Sequence, residues 1–305
     1  MQTRRSLSSA PRADSTTQSP DREIVPWSSG TEKPRLTLPA GATDCVHHIF
    51  DSRFMVAPGA SSPPDATAAD YLKLRRRLGL SRNVIAQATN YGFDNSCVLD
   101  AMKQIGPSAR GIAIVNGDVT DAELQRLHAH GIRGGRFFFG AASLVAPEMM
   151  KPLSRRFANL GWHIQYQAPP EQTLAMAEIL ANLDCPVVFD HFARIPAQAG
   201  AQHPVFALVA RLLTEGKAWI KLSGPYHVSG DGPPNYDDAG KLVQAFVRAA
   251  PDRLLWGSGW PHSALPDHSK PNDAQMLDQF ATWIPDEAIR AGMLVDNPAR
   301  LYDFA

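Results

Sequence analysis

Cysteine, net charge and long apolar runs are all scarce in this 305-residue chain. Its three cysteines, Cys45, Cys97 and Cys185, lie far apart with no Cys-x-x-Cys spacing. That pattern argues against a disulfide framework or a cysteine zinc site and fits reduced, buried thiols. Thirty basic residues cancel thirty acidic ones, so no net field draws the chain toward nucleic acid or an anionic membrane. No apolar stretch reaches the roughly 20 residues that a spanning helix needs. The expectation is a cytoplasmic protein with neither nucleic acid nor membrane as a partner.

What is present suits one large core: 44% of the residues are hydrophobic, and Gly and Pro stay below a low-complexity level. Residues 1–35 are rich in Ser, Thr, Pro and Arg without apolar periodicity, which predicts a disordered N-terminal tail. Arg4-Arg5 has the twin arginines of an export signal, but no apolar run follows it.

From residue 36 to 305, short apolar strands alternate with amphipathic segments. The strands are expected at Thr43–Phe50, Asn83–Thr89, Gly111–Asn116, Gly134–Phe139, His163–Gln167, Val187–His191, Trp219–Ser223 and Leu254–Ser258. Helices are expected at Ala69–Leu78, from Thr120 to Gly131, at Glu171–Leu183, at His203–Glu215 and from Pro285 onward. Eight such units with no break between them predict a single α/β domain, a (β/α)8 TIM barrel. Chemistry in that fold sits at the carboxyl ends of the strands.

The last strand ends Trp256-Gly-Ser-Gly-Trp-Pro-His262, and this stretch resembles the closing motif of the amidohydrolase superfamily, in its 2-pyrone-4,6-dicarboxylate lactonase-like branch. Further likeness lies in Leu38–Cys45, Arg82–Ala88, Val187–His191 and Leu294–Tyr302. The resemblance implies an amidohydrolase-like barrel over nearly the whole ordered chain. It also implies roles for His48 and His191, which match two of the family's histidines. Two departures stand out: Val46 replaces the first histidine of Asp-x-His-x-His, and Gly259 replaces the aspartate that serves as base. Neither Val nor Gly can ligate, so no catalytic metal and no other cofactor are expected.

The remaining candidates come from strand ends. Arg136 points inward with Gly134 and Phe138, and a buried guanidinium there is costly unless it meets an anion. A substrate carboxylate or an internal partner such as Asp190 would satisfy it. Thr89, Asn90, Tyr91, Gln167, Ser223 and Tyr226 offer hydroxyls and amides to a small oxygenated ligand, and Gly259 admits close approach. His262 is a candidate base, although relatives have a histidine there beside their aspartate. Asp94 and Asn95 suit helix capping, His163 the core, and His47 the outside of the barrel. The leading reading is a metal-independent hydrolase of a small carboxylated lactone or related ester, with His48 and His191 donating to the carbonyl. The alternatives are a lactone isomerase similar to galactarolactone isomerase and a noncatalytic barrel that binds small carboxylates.

Overall fold

Eight parallel strands run in simple order: β1 Thr43–His47, β2 Arg82–Ala86, β3 Ala109–Ala113, β4 Ile132–Phe138, β5 His163–Gln167, β6 Val187–Phe189, β7 Ala218–Ser223 and β8 Leu254–Gly257. The computed structural model describes residues 23–304 apart from 141–142. All eight expected strands are present, several ending earlier than their apolar runs, because the chain turns into the mouth of the barrel before those runs finish. Nearly every strand residue is buried, as a sheet covered on both faces requires.

Helices cover the outside. Thr67 caps Ala68–Leu78 by accepting from Asp70 N while Asp70 accepts from Thr67 N, and Gly79 closes that helix at φ +77°. Thr120 caps Asp121–Ala129 in the same sense. His203 precedes Pro204–Thr214, accepting from Val205 N through its ring. The helix expected over 171–183 is two pieces, Pro170–Ala175 and Ala177–Ala181, broken at Met176 beneath the Tyr166 hydroxyl. The final helix starts at Glu287, passes through a π-turn at Gly292–Asp296 and continues as Asn297–Tyr302. Pro298, with no N–H to donate, accounts for the widened turn before it. Among the described residues, no helix is long and apolar enough to cross a membrane.

The N-terminal expectation needs correction over 23–35. Trp260 Nε1 donates to Pro26 O at 2.8 Å and Arg77 to Gly30 O at 2.8 Å, while Val25 is fully buried. The segment forms no helix or strand, so it has no periodicity, and distant side chains satisfy its carbonyls instead. Residues 1–22, including Arg4-Arg5, lie outside the described residues.

Most of the core lies between the sheet and the helices, and a smaller apolar layer, with Cys45, Val46, Val84, Ala86, Ile112, Val188 and Leu255, fills the barrel interior. β8 meets β1 through Gly259 N to Val46 O and His48 N to Trp260 O, both 2.9 Å. Gly257 permits that approach, since a Cβ there would lie 2.5 Å from Val46 Cγ1. Asp44 clasps the seam. Its carboxylate accepts from Ser258 N at 2.9 Å, Ser258 Oγ at 2.6 Å, Val46 N at 3.2 Å and Tyr71 Oη at 3.1 Å.

Complete burial outweighs those four donors and pushes the Asp44 carboxyl from 3.8 up to about 6. The folded chain therefore keeps this proton to about pH 6, whereas the unfolded chain releases it near pH 4. The group's contribution to stability is largest below pH 4 and falls as pH rises through that window, by ~3 kcal/mol in all. Urea unfolding of wild type and Asp44→Asn across pH 4–7 tests this: the wild type should lose stability relative to the variant as pH rises. A constant difference between the two curves refutes it.

Candidate active site at the carboxyl ends of the strands

A cavity of about 340 Å³ opens at the carboxyl end of the barrel, and its wall includes His48, Arg136, Gln167, His191, Arg194, Tyr226 and Gly259. β1 positions His48 through a bulge: Asp44 pairs with Asn83 and His47 with Ile85, so three steps on β1 match two on β2. Cys45 and Val46 both reach the barrel interior, His47 turns outward onto Tyr71 with ring centroids 3.5 Å apart, and His48 returns to the cavity. His48 Nδ1 lies 2.8 Å from Ala86 O. A carbonyl only accepts, so the proton is on Nδ1 and the neutral ring presents a lone pair at Nε2. The expected donation from His48 to a substrate carbonyl is corrected accordingly: the backbone already uses its N–H.

His191 follows β6 at the start of an unusual turn. His191, Phe192, Ala193 and Arg194 all have positive φ, between +47° and +58°. Left-handed backbone disfavours such residues by about 1–2 kcal/mol each, and strain of this kind gathers at functional sites. The turn delivers His191 and Arg194 to one cavity. His191 Nδ1 lies 3.0 Å from Ser223 Oγ and 3.2 Å from Ser223 O. Burial lowers His48 and His191 to about 3 each and His227 to about 2, with Arg136 next for His48 and His191 next for His227. All three imidazoles are neutral near pH 7.

The charges beneath are arranged unevenly. Lys221 Nζ lies 3.1 Å from Asp190 Oδ1, and both are almost wholly buried. Gln165 links them, accepting from Lys221 at 2.6 Å and donating to Asp190 Oδ2 at 2.8 Å. Burial lowers the Lys221 ammonium, and Asp190 opposes that effect. Asp190 thus pairs directly with Lys221 and reaches Arg136 only at longer range, where it opposes the effect of that guanidinium's burial. Arg136 is 7% exposed, donates to Gln87 O at 2.7 Å and has no carboxylate within ion-pair reach among the described residues. Arg194 likewise has no such partner there, although it borders the same space. Neither guanidinium is in direct ion-pair contact with a carboxylate among the described residues.

Other candidates divide by position. Thr89, Asn90, Gln167, Tyr226 and Gly259 border the cavity. Asn90 Nδ2 also donates to Ser61 O at 2.9 Å. Tyr91 does not border it; its hydroxyl is held by the Asp51 backbone behind the wall. Ser223 is buried beneath His191. His262 is also set back, with Nδ1 3.0 Å from Tyr226 Oη and Nε2 3.1 Å from Asp273 Oδ2. Asp94 accepts from Ser96 N, and Asn95 brackets the Ile114 backbone.

Sequence reasoning missed Arg194 and His227, together with Phe50, Ser263 and Ala264 on the rim. A left-handed turn written His-Phe-Ala-Arg contains no glycine or asparagine to announce it. For a divalent metal, the donor set is too small. Val46 and Gly259 stand at two of the expected ligand positions, and no cluster of three or more His, Cys, Asp or Glu suited to a metal occurs among the described residues. The described residues therefore do not supply the donor set of a catalytic metal.

Comparison with known proteins places this geometry. The amidohydrolase family model matches residues 38–304. A 2-pyrone-4,6-dicarboxylate hydrolase of Comamonas testosteroni is 36% identical over 289 residues, covering 90% of this chain and 94% of the relative. A D-galactarolactone isomerase of Agrobacterium fabrum is 28% identical, over 92% and 97% of the two chains. An apo crystal structure from Agrobacterium tumefaciens superposes with a TM-score of 0.85 at 26% identity, over 92% of this chain and 99% of that one. A probable 2-pyrone-4,6-dicarboxylic acid hydrolase of Acinetobacter baumannii, crystallised with citric acid bound, gives 0.74 at 26% identity over 87% and 100%. With the barrel, the strand-end histidines and a family match over nearly its whole length, this chain belongs to the amidohydrolase family.

Proposed function

We propose that the protein is a metal-independent hydrolase that opens a small lactone bearing carboxylate groups. The observation that carries this reading is Arg136, a nearly buried guanidinium facing the cavity without a carboxylate partner among the described residues. Holding such a charge out of water is costly unless an anion completes it, and a guanidinium fork matches a carboxylate in two parallel bonds. Arg194 on the same cavity wall suits a second acidic group. The relatives named for dicarboxylate hydrolysis, and the one crystallised with citric acid, support an acidic ligand. At about 340 Å³ the cavity is at the small end of ligand pockets, which favours a single-ring substrate.

In this reading Arg136 and Arg194 hold the carboxylates and so orient the ring ester. Neutral imidazoles and the Gln167 amide line the reacting centre, where Gln167 can donate to the oxyanion that forms as the carbonyl is attacked. Excess positive charge from the two arginines favours that anion over the neutral ester. Water attacks the carbonyl carbon, the ring C–O bond breaks, and a new carboxylate is released. The isomerase reading keeps the same anchors and carbonyl but uses a substrate hydroxyl as nucleophile. A D-galactarolactone isomerase among the relatives favours keeping it as the second reading.

Incubation with 2-pyrone-4,6-dicarboxylate, 4-sulfomuconolactone and D-galactarolactone, followed by product analysis, tests the reading. Ring-opened acid is expected; a rearranged lactone selects the isomerase, and binding without turnover selects a noncatalytic barrel. Activity should survive chelation. About one zinc or manganese per chain, lost together with activity, would sink the metal-independent reading. Arg136→Met should weaken binding of the dicarboxylate by ~2–5 kcal/mol while the matching methyl ester binds both proteins alike, as measured by calorimetry. An unfolded Arg136→Met protein would assign the arginine to structure instead.

A further inference from the structure

Opening a lactone requires an acceptor for the proton of the attacking O–H, yet β8 ends in glycine where the family's aspartate is expected. The space beside that glycine is already taken. Gly259 has φ +76°, and a Cβ built there would lie 3.2 Å from Tyr226 Oη. Tyr226 borders the cavity, its hydroxyl 3.0 Å from His262 Nδ1. Behind it, His262 Nε2 lies 3.1 Å from Asp273 Oδ2, and both side chains are completely buried.

The direction of the protons follows from the end of this chain of contacts. An ionised carboxylate only accepts, so Asp273 places the imidazole proton on Nε2. His262 Nδ1 then carries the lone pair, and the Tyr226 hydroxyl donates to it. His262 itself has φ +57°, a backbone conformation that a non-glycine residue adopts at a cost.

The other imidazoles at the site are poorer acceptors. His48 lies near the Arg136 guanidinium, and His191 near that of Arg194, each opposing a second positive charge. His227 is lowered by burial and by the neighbouring His191. Among the described residues, His262 is the one histidine in hydrogen-bond contact with a carboxylate. A positive charge on that ring would lie 3.1 Å from a carboxylate oxygen.

We propose that Tyr226, backed by His262 and Asp273, is the proton-accepting group of the lactone reaction and replaces the carboxylate absent at Gly259. This rests on the lactone reading above. As the nucleophile's oxygen bonds to the carbonyl carbon, its O–H proton passes to Tyr226 Oη and the phenolic proton passes to His262 Nδ1. The imidazolium is held by Asp273. When the ring C–O bond breaks, Tyr226 gives its proton to the departing oxygen and recovers one from His262, so the relay ends as it began. Burial, then the Asp273 carboxylate, raises the Tyr226 phenol, so it transmits a proton and does not rest as phenolate. The same relay serves water in hydrolysis and a substrate hydroxyl in isomerisation.

Two measurements test it on the full chain. Tyr226→Phe, His262→Gln and Asp273→Asn are assayed with 2-pyrone-4,6-dicarboxylate and D-galactarolactone. In each folded variant kcat should fall, by ~10²–10⁴-fold for Tyr226→Phe and His262→Gln, with KM within about threefold of wild type. Folded Tyr226→Phe or His262→Gln protein with wild-type kcat overturns the relay, as does a loss confined to KM. Separately, nitrogen-15 NMR of the wild-type histidines should show His262 neutral with its proton on Nε2, whereas a proton on Nδ1 overturns the proposal whatever the substrate. A wild-type chain that neither opens nor rearranges either lactone removes the lactone reading, and the tautomer then upholds or overturns the relay's proton arrangement by itself.

Discussion

Asp44 joins the two ends of the barrel. One carboxylate on the first strand receives the backbone and side chain of Ser258 after the last strand, while Tyr71 from the first helix donates to it as well. Everything that β8 contributes to the cavity depends on this clasp, because Gly259 and the loop carrying His262 begin immediately beyond it. A buried carboxylate with four donors is costly to move, since breaking the contact strands both charge and donors away from water. Rigidity at the seam thus defines where the site's final wall stands.

Above the seam, the barrel combines two electrostatic arrangements. Deep in the interior, Lys221, Gln165 and Asp190 contact one another directly, with the ammonium beside the carboxylate and the amide between them. Nearer the mouth, Arg136 and Arg194 have no carboxylate among the described residues, and the surrounding imidazoles are neutral because burial opposes their protonation. The first arrangement is complete within the scaffold, and the second sets two guanidiniums on the cavity wall without a direct carboxylate partner among the described residues. That contrast underlies the proposal of an acidic substrate.

The loss of an aspartate at Gly259 does not leave a gap. Removing the side chain at that position makes room for the Tyr226 hydroxyl, and the positive φ of Gly259 suits a residue with no Cβ. The glycine at this strand end is therefore coupled to packing from the β7 loop. His262 illustrates the same coupling, for it is separated from the cavity by a tyrosine and connected to it through that tyrosine's hydroxyl.

The barrel was legible in the sequence because its cause is local: short apolar runs closed by glycine or polar residues can bury both faces only in a covered parallel sheet. Strand alternation likewise placed Arg136 on the inner face, and the family motif marked Val46 and Gly259 as departures. Segment 23–35 was read as disordered because its anchors, Trp260 and Arg77, lie far away in the chain. Tertiary structure decided which charge met which. Asp190 pairs with Lys221 rather than Arg136, and the His48 proton is directed to Ala86 O, outcomes set by ångström-scale separations that periodicity does not encode. It also decided the left-handed turn from His191 to Arg194 and the Tyr226–His262–Asp273 line, whose members are brought together only when the barrel closes.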